Sequence, residues 1–371
     1  MGFVRYLRLT CLVLIAFSEL SRMRVTIRSL ASTGICILLA LIAWHIGQRT
    51  HVDAFLFIWG ARNRSPRTLL LVSSATIAAS VAFVIASSYL GIIANYHQVV
   101  IGGRERSYLG FRYALYPSAA FFGVVCSLAY LSSRRAYLIS MMLLGFTSYR
   151  LYLATDSRLS FYLGIFVLIL IGFQHLSRGR LFSQRWFCIV SCLSFIACAL
   201  VSIVLTFLYE PSNNYMFALN QALSSRLLFG KRALERYGLS LFGTAMGGDI
   251  VGNGLNVLGE RVSGEYFYID CLYVRILLEG GLIMFTAYIA GMTALSLNAY
   301  ERCDYRLSAV LIGLALHGMV DNLMMNLFYN PFLLLIGVGL SDVLEGFHID
   351  QREMKRDFQF KYIDNHTGDS V

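Results

Sequence analysis

The chain has 371 residues, of which 57% are hydrophobic and only 14% charged, with a net charge of +10 and a mean hydropathy of +0.63. A soluble globular domain carries roughly 25% charged residues, and a soluble fold of this length has no way to hide so much apolar surface. The composition excludes a soluble module and predicts an all-α, polytopic integral membrane protein: one transmembrane domain over 1–345, including a large, partly helical loop outside the membrane over 209–269, and a cytoplasmic polar tail over 346–371.

Four prolines and no Ser/Gly-rich tract leave no linker and no short-period repeat. The eight cysteines, none in CxxC spacing, read as small hydrophobes within apolar runs. The chain opens with Arg5, Arg8 and a short apolar core, Leu9 to Phe17, with no small-residue cleavage site after it, which makes a short first span over 8–20. A span needs about 20 mostly apolar residues, because its backbone polar groups find no water and must be bonded inside a helix. Further spans are expected over 30–47, 69–94, 117–132, 136–153, 159–175, 187–208, 271–297, 307–326 and 330–345, about ten in all, while 54–59 is too short to cross.

An amino terminus in the cytoplasm puts Arg49, Arg62, Arg64 and Arg67, then Arg134 and Arg135, then Arg178, Arg180 and Arg185, then Arg302 and Arg306 inside. The basic tail, with Arg352, Lys355, Arg356 and Lys361, is then inside as well, in accord with the positive-inside rule. The same topology leaves Arg22, Arg24, Arg28, Arg104, Arg106, Arg112, Arg158, Arg226, Lys231, Arg232, Arg236 and Arg261 outside, where orientation does not ask for them. Arginine dominates this set, and its planar fork grips phosphate oxygens in a bidentate way that an ammonium cannot, which points to an anionic ligand. The alternative is pairing with Glu210, Glu235, Asp249, Glu260 and Glu265 or with lipid phosphates.

Within the outer loop, Leu223, Leu227, Ala233, Leu234 and Tyr237 recur at helical spacing with basic residues opposite, predicting an amphipathic helix over 220–237 broken near Gly230. A run of glycines follows, from Gly238 to Gly259, which permits close backbone approach without a phosphate-loop signature.

Three stretches in this order, LNQALSSRLLFGKRALERYGLSLFG (219–243), YFYIDCLYVRILLEGG (266–281) and HGMVDNLMMNLFYNPFLLL (317–335), resemble the Wzy-type polysaccharide repeat-unit polymerases. RSYLGFRYALYP (106–117) is similar to that family's Arg-x-x-Leu-Gly-Phe loop and TDSR (155–158) to its Thr/Ser-x-Ser-Arg turn, so the likeness spans most of 100–340. It departs where Arg112-Tyr113-Ala114 stands for the family's His-Pro-Asn and Ser225 for the glycine of LSGR. The resemblance implies an enzyme of the bacterial inner membrane with its active site on the extracytoplasmic side. Such an enzyme joins undecaprenyl-pyrophosphate-linked oligosaccharide repeats into capsule, exopolysaccharide or O-antigen, with release of the carrier. Its surroundings would be membrane lipids, a flippase and a chain-length regulator, with no cofactor, metal or nucleic acid.

On that footing Arg226 is the first candidate for the pyrophosphate, with Arg106, Arg158, Lys231 and Arg232 as further substrate contacts; the alternative is that they anchor at the headgroups. Asp270 and Tyr273, about one turn apart at the mouth of a span, are placed to orient or deprotonate the acceptor hydroxyl, with Tyr273 and Arg275 as further substrate contacts, or Asp270 and Arg275 form a structural pair. His317 and Asp321, four apart, share a helical face inside a span, where ionisable groups usually face a cavity, unless they serve only to join helices. Rival readings are an O-antigen-type ligase using the same donor, a lipid-linked oligosaccharide transporter or flippase, and a membrane acyltransferase. The first differs in its acceptor, the second expects charges along a central path and two related halves, and the third needs more than His317.

Overall fold

The computed structural model describes residues 2–22, 27–100, 103–256, 259–261 and 264–345. The predicted polar tail, Arg24 and their basic neighbours in both segments lie outside them. The described chain is mainly helical, with one antiparallel hairpin of two short strands, β1 His97–Val100 and β2 Arg104–Ser107.

Helices α1 (Gly2–Arg22), α2 (Ile27–His45), α3 (Arg49–Gly60) and α4 (Pro66–Tyr89) come first, then α5 (Tyr116–Leu131), α6 (Tyr137–Thr155), α7 (Arg158–Leu176) and α8 (Arg185–Leu208). The segment after α8 holds α9 (Asn214–Ala222) and α10 (Arg226–Tyr237), and α11 (Leu272–Arg275) passes through a π-turn, Ile276–Gly280, into α12 (Gly281–Glu301). Helices α13 (Tyr305–Gly318) and α14 (Leu334–Glu345) close the body. Four stretches are long and apolar enough to cross a membrane: Pro66–Tyr89, Arg158–Leu176, Arg185–Leu208 and Leu272–Glu301.

Long helices joined by short turns alternate in direction, so the turns collect at two ends. At one end Tyr130 donates to Asp304 at 2.7 Å, Arg306 to the Ser132 carbonyl at 3.1 Å, and Tyr300 to the Ser183 carbonyl at 3.4 Å. These contacts bring together the turns that carry Arg134, Arg135, Arg178, Arg180, Arg302 and Arg306. At the other end lie the β-hairpin, the α6–α7 turn, the whole of 209–271 and the start of the segment after α13, which then runs back into the body until Phe332 meets Tyr130.

Three expectations are corrected, two about the end at which an arginine sits and one about a span. The run at 54–59 belongs to a twelve-residue helix, α3, that packs antiparallel to α2. About 18 Å long, it cannot cross alone, and the pair forms a helical hairpin turned at Gly47, where φ is +79°. Its tip puts Arg49 at the opposite end of α3 from Arg62 and Arg64, not beside them. Helix α1 runs parallel to α3, because Arg8 pairs with Asp53 at 2.7 Å and Glu19 with Arg64 at 3.4 Å. Arg22 therefore sits at the same end as Arg64 rather than across the body from it, and the start of α2, with Arg28, begins there too.

The third correction concerns 307–326, which is not one helix. Helix α13 stops at Gly318, and 319–333 is a broken stretch with two 3-10 turns, Asn322–Met325 and Pro331–Leu333. Non-helical backbone this deep must find partners inside the protein, and three side chains supply them. Asp321 accepts from the Leu323 amide at 2.9 Å, Asn326 from the Phe328 amide at 2.9 Å, and Asn330 donates to the Met324 carbonyl at 3.0 Å. On α5, Gly123 lacks the side chain that would collide with the Tyr329 carbonyl, which lets the stretch lie close.

The predicted helix break at Gly230 falls instead at Ser224–Ser225, both left-handed with φ of +54° and +64°. Gly230 is buried mid-helix, where a Cβ would meet Thr206 of α8 at 2.8 Å. The glycine run, expected to let backbone approach a ligand, instead brings it against the start of α12: Thr244 N–H donates to the Glu279 carbonyl at 3.1 Å and Leu282 N–H to the Ser240 carbonyl at 2.9 Å. Gly243, at φ +85°, leaves no space for a side chain against the Glu279 carbonyl.

Candidate active site

The positive φ at Ser225 starts α10 in the direction that delivers Arg226 to the end of α13. There Arg226 Nε donates to the Val320 carbonyl at 3.0 Å and Nη1 to the Leu223 carbonyl at 2.9 Å, while Nε lies 3.6 Å from Asp270 Oδ2. The last distance is an ion pair but not a hydrogen bond. One guanidinium thus joins the outer helices, the approach to α11 and the broken stretch.

Asp270 ends an extended segment in which side chains alternate faces. Tyr266, Tyr268 and Asp270 therefore share one face, and buried Ile269 takes the other with Phe267. Tyr268 shares a hydrogen bond of 3.3 Å with Asn322, and the Arg275 guanidinium stacks over its ring at 5.2 Å. Tyr113, Tyr116 and Tyr329 continue the aromatic wall, with ring centroids 5.4 and 5.8 Å apart along the series. Tyr113 feels the charges of Asp270, Asp321 and Arg106 together, and so stands between them.

Electrostatics bear on both carboxylates. Burial pushes Asp270 up to about 6, against the pull of Arg226, with the charge of Asp321 adding to the rise. Burial likewise lifts Asp321 to about 6, opposed by its bond from the Leu323 amide and by Arg226. A carboxylate of this kind ionises near neutral pH, where a general base is most effective.

The other sequence candidates divide. Tyr273 is not at the mouth: it is fully buried and donates to the Ala315 carbonyl at 2.8 Å, a helix-joining bond. Arg275 pairs with Glu279 at 2.9 Å rather than with Asp270. His317 and Asp321 do not share a face. His317 is fully buried against Phe122, 4.6 Å between rings, with Ser160 at 3.5 Å, whereas Asp321 has left the helix at φ −141°. Lys231 spends its ammonium on the Phe207 carbonyl at the end of α8, at 2.9 Å, and Arg232 makes an exposed pair with Glu265 at 3.8 Å. Arg106 and Arg158 converge with Arg104 on Asp156, at 3.3, 3.3 and 2.6 Å.

Sequence reasoning passed over Tyr113, Tyr116, Tyr266, Tyr268, Glu279 and Asn322. The two-residue spacing Tyr266-x-Tyr268-x-Asp270 was the available signal, hidden because it borders an apolar helix. Among the described residues no three side chains of His, Cys, Asp or Glu converge as a metal site would.

No protein-family model, curated protein or solved structure matches the chain. The fold itself defines an all-helical protein with four helices fit to cross a membrane. Its polar recess lies at the end opposite the turns that carry Arg134, Arg178 and Arg302.

Proposed function

We propose that this protein is a membrane glycosyltransferase that polymerises oligosaccharide repeats carried on undecaprenyl pyrophosphate at the outer face of the bacterial inner membrane. The observation that carries the reading is the convergence of Arg226, Asp270 and Asp321 in a tyrosine-walled recess. The opposite end bears turn after turn of arginine, as a cytoplasmic face does.

In this reaction the acceptor hydroxyl gives its proton to Asp270 as its oxygen attacks the anomeric carbon of the donor. The bond from that carbon to the pyrophosphate oxygen breaks with its electron pair, and the diphosphate leaves with the new charge facing Arg226. A preorganised cation in a poorly hydrated site is worth several kcal/mol to such a step. The tyrosine rings offer apolar faces to sugar rings and hydroxyls to their oxygens.

The test supplies purified protein in detergent with synthetic lipid-linked repeats and resolves products by length. A ladder is expected. Glycan moved to a different acceptor in a single step would replace the polymerase with a ligase. Intact substrate that exchanges between leaflets of a vesicle would replace both with a transporter.

A further inference from the structure

Below the recess, a polar chamber of about 190 Å³ is lined by Gln48, His51, Arg275, Glu279, Asn322 and Asn326, among others. The carboxylate of Glu279 is fully engaged: one oxygen takes the bond from Arg275 Nε at 2.9 Å and the other accepts from Gln48 at the hairpin tip. Arg275 Nη1 and His51 Nδ1 are buried without a hydrogen-bond partner. A buried guanidinium nitrogen with nothing to bond is costly, and the Arg275 guanidinium, with donors left over beyond its bond to Glu279, is the group in this lining that suits an anion.

Met284 and Met325 line this chamber and also a second, larger cavity of about 650 Å³. That cavity is an apolar groove between the α2–α3 hairpin (Cys36, Leu39, Phe55) and helices α12 and α14. Its α12 side is paved with small residues, Ala287, Ala290, Gly291 and Ala294. From Met284 to Leu295 it runs about 17 Å at 1.5 Å per residue. Methionine side chains are flexible and adapt to what passes them.

We propose that this groove holds the head-proximal isoprenoid chain of a polyprenyl diphosphate, whose carrier-side phosphate bonds Arg275 in the chamber. An anion-seeking chamber opening onto one apolar channel matches an amphiphile with one tail. A diacyl lipid brings two chains and a glycerol to the same mouth. The small-residue floor leaves width for methyl branches that a straight chain does not need. The choice of lipid rests on the glycosyl-transfer reading; the groove and its anion site do not.

The experiment is photo-crosslinking of the full-length protein in nanodiscs with a polyprenyl diphosphate bearing a diazirine in its third isoprene unit. Adducts are expected on α12 between Met284 and Leu295 and on the α2–α3 hairpin, competed by undecaprenyl diphosphate and not by phosphatidylglycerol. Ala290→Phe, at an exposed position that does not burden folding, should weaken competition by about tenfold. The double variant Arg275→Gln/Glu279→Gln, which avoids a lone buried carboxylate, should weaken it by about tenfold as well. Thermal unfolding of each variant verifies that it is folded. Adducts on the lipid-facing sides of α6 and α8, equal displacement by phosphatidylglycerol, or indifference to Ala290→Phe would overturn the proposal. Groove adducts without a product ladder would overturn the polymerase reading alone, and a ladder with adducts elsewhere the groove alone.

Discussion

Arg226 makes its two carbonyl bonds and its ion pair through two nitrogens, Nε and Nη1, of one rigid plane. An ammonium has neither the reach nor the geometry to replace them together. Arg226→Lys is expected to lower the rate of ladder formation by roughly 10²-fold, with thermal unfolding as the check that the chain still folds; an unchanged rate would remove Arg226 from the mechanism. Asp270 carries a pH signature. With its folded value near 6, above the ordinary 3.8, the protonated form is the one favoured by folding. The stability this contributes is complete below about pH 4 and lost as the pH rises through 6. Activity runs the other way, rising through about pH 6 as the base ionises, and Asp270→Asn should abolish that limb in a rate-against-pH profile. A limb that persisted would assign it to Asp321. At this scale Arg226, Asp270 and Asp321 were legible, because charged residues bordering apolar runs stand out. His317 was misread since four-residue spacing implies one face only while the helix continues, and here it does not.

Helix boundaries decided most of what the sequence concealed. Hydropathy located the apolar body of most helices, and α7 and α8 nearly to their ends. It did not separate α13 from the broken stretch after it, since Leu323, Met324, Met325 and Leu327 are as apolar as any span. Only the satisfaction of the backbone by Asp321, Asn326 and Asn330 distinguishes the two, and that depends on tertiary partners. The α2–α3 hairpin was hidden for the same reason: α3 is amphipathic and short, and its partner lies in the fold. The kink between α9 and α10 makes a measurable prediction. Ser225 holds a left-handed conformation that costs an L residue about 1–2 kcal/mol, at the position where the resembling polymerases have glycine. Ser225→Gly should therefore raise stability by about 1 kcal/mol, less the entropy glycine returns to the unfolded chain, read as a higher midpoint in thermal unfolding. A lower midpoint would mean that the hydroxyl has a role the backbone does not reveal.

For the molecule as a whole, the segregation of turns into two ends sets orientation. A single cysteine introduced at Ser224 should react with a membrane-impermeant maleimide applied to intact cells, and one at Arg178 should not. The reverse pattern would invert the protein and remove the recess from the outer face. Overall class was plain from composition alone, while the path of the first sixty residues was not, because its contacts lie with segments far along the chain. The bond from Gln48 to Glu279 joins positions 231 residues apart. At ribosomal speeds of about 5–20 residues per second, the hairpin waits on the order of 10–50 s for its partner to be made. Until then Gln48 and His51 carry polar atoms that only the finished protein will enclose. The newborn amino-terminal third thus spends its first moments as a client of whatever shields half-built membrane proteins.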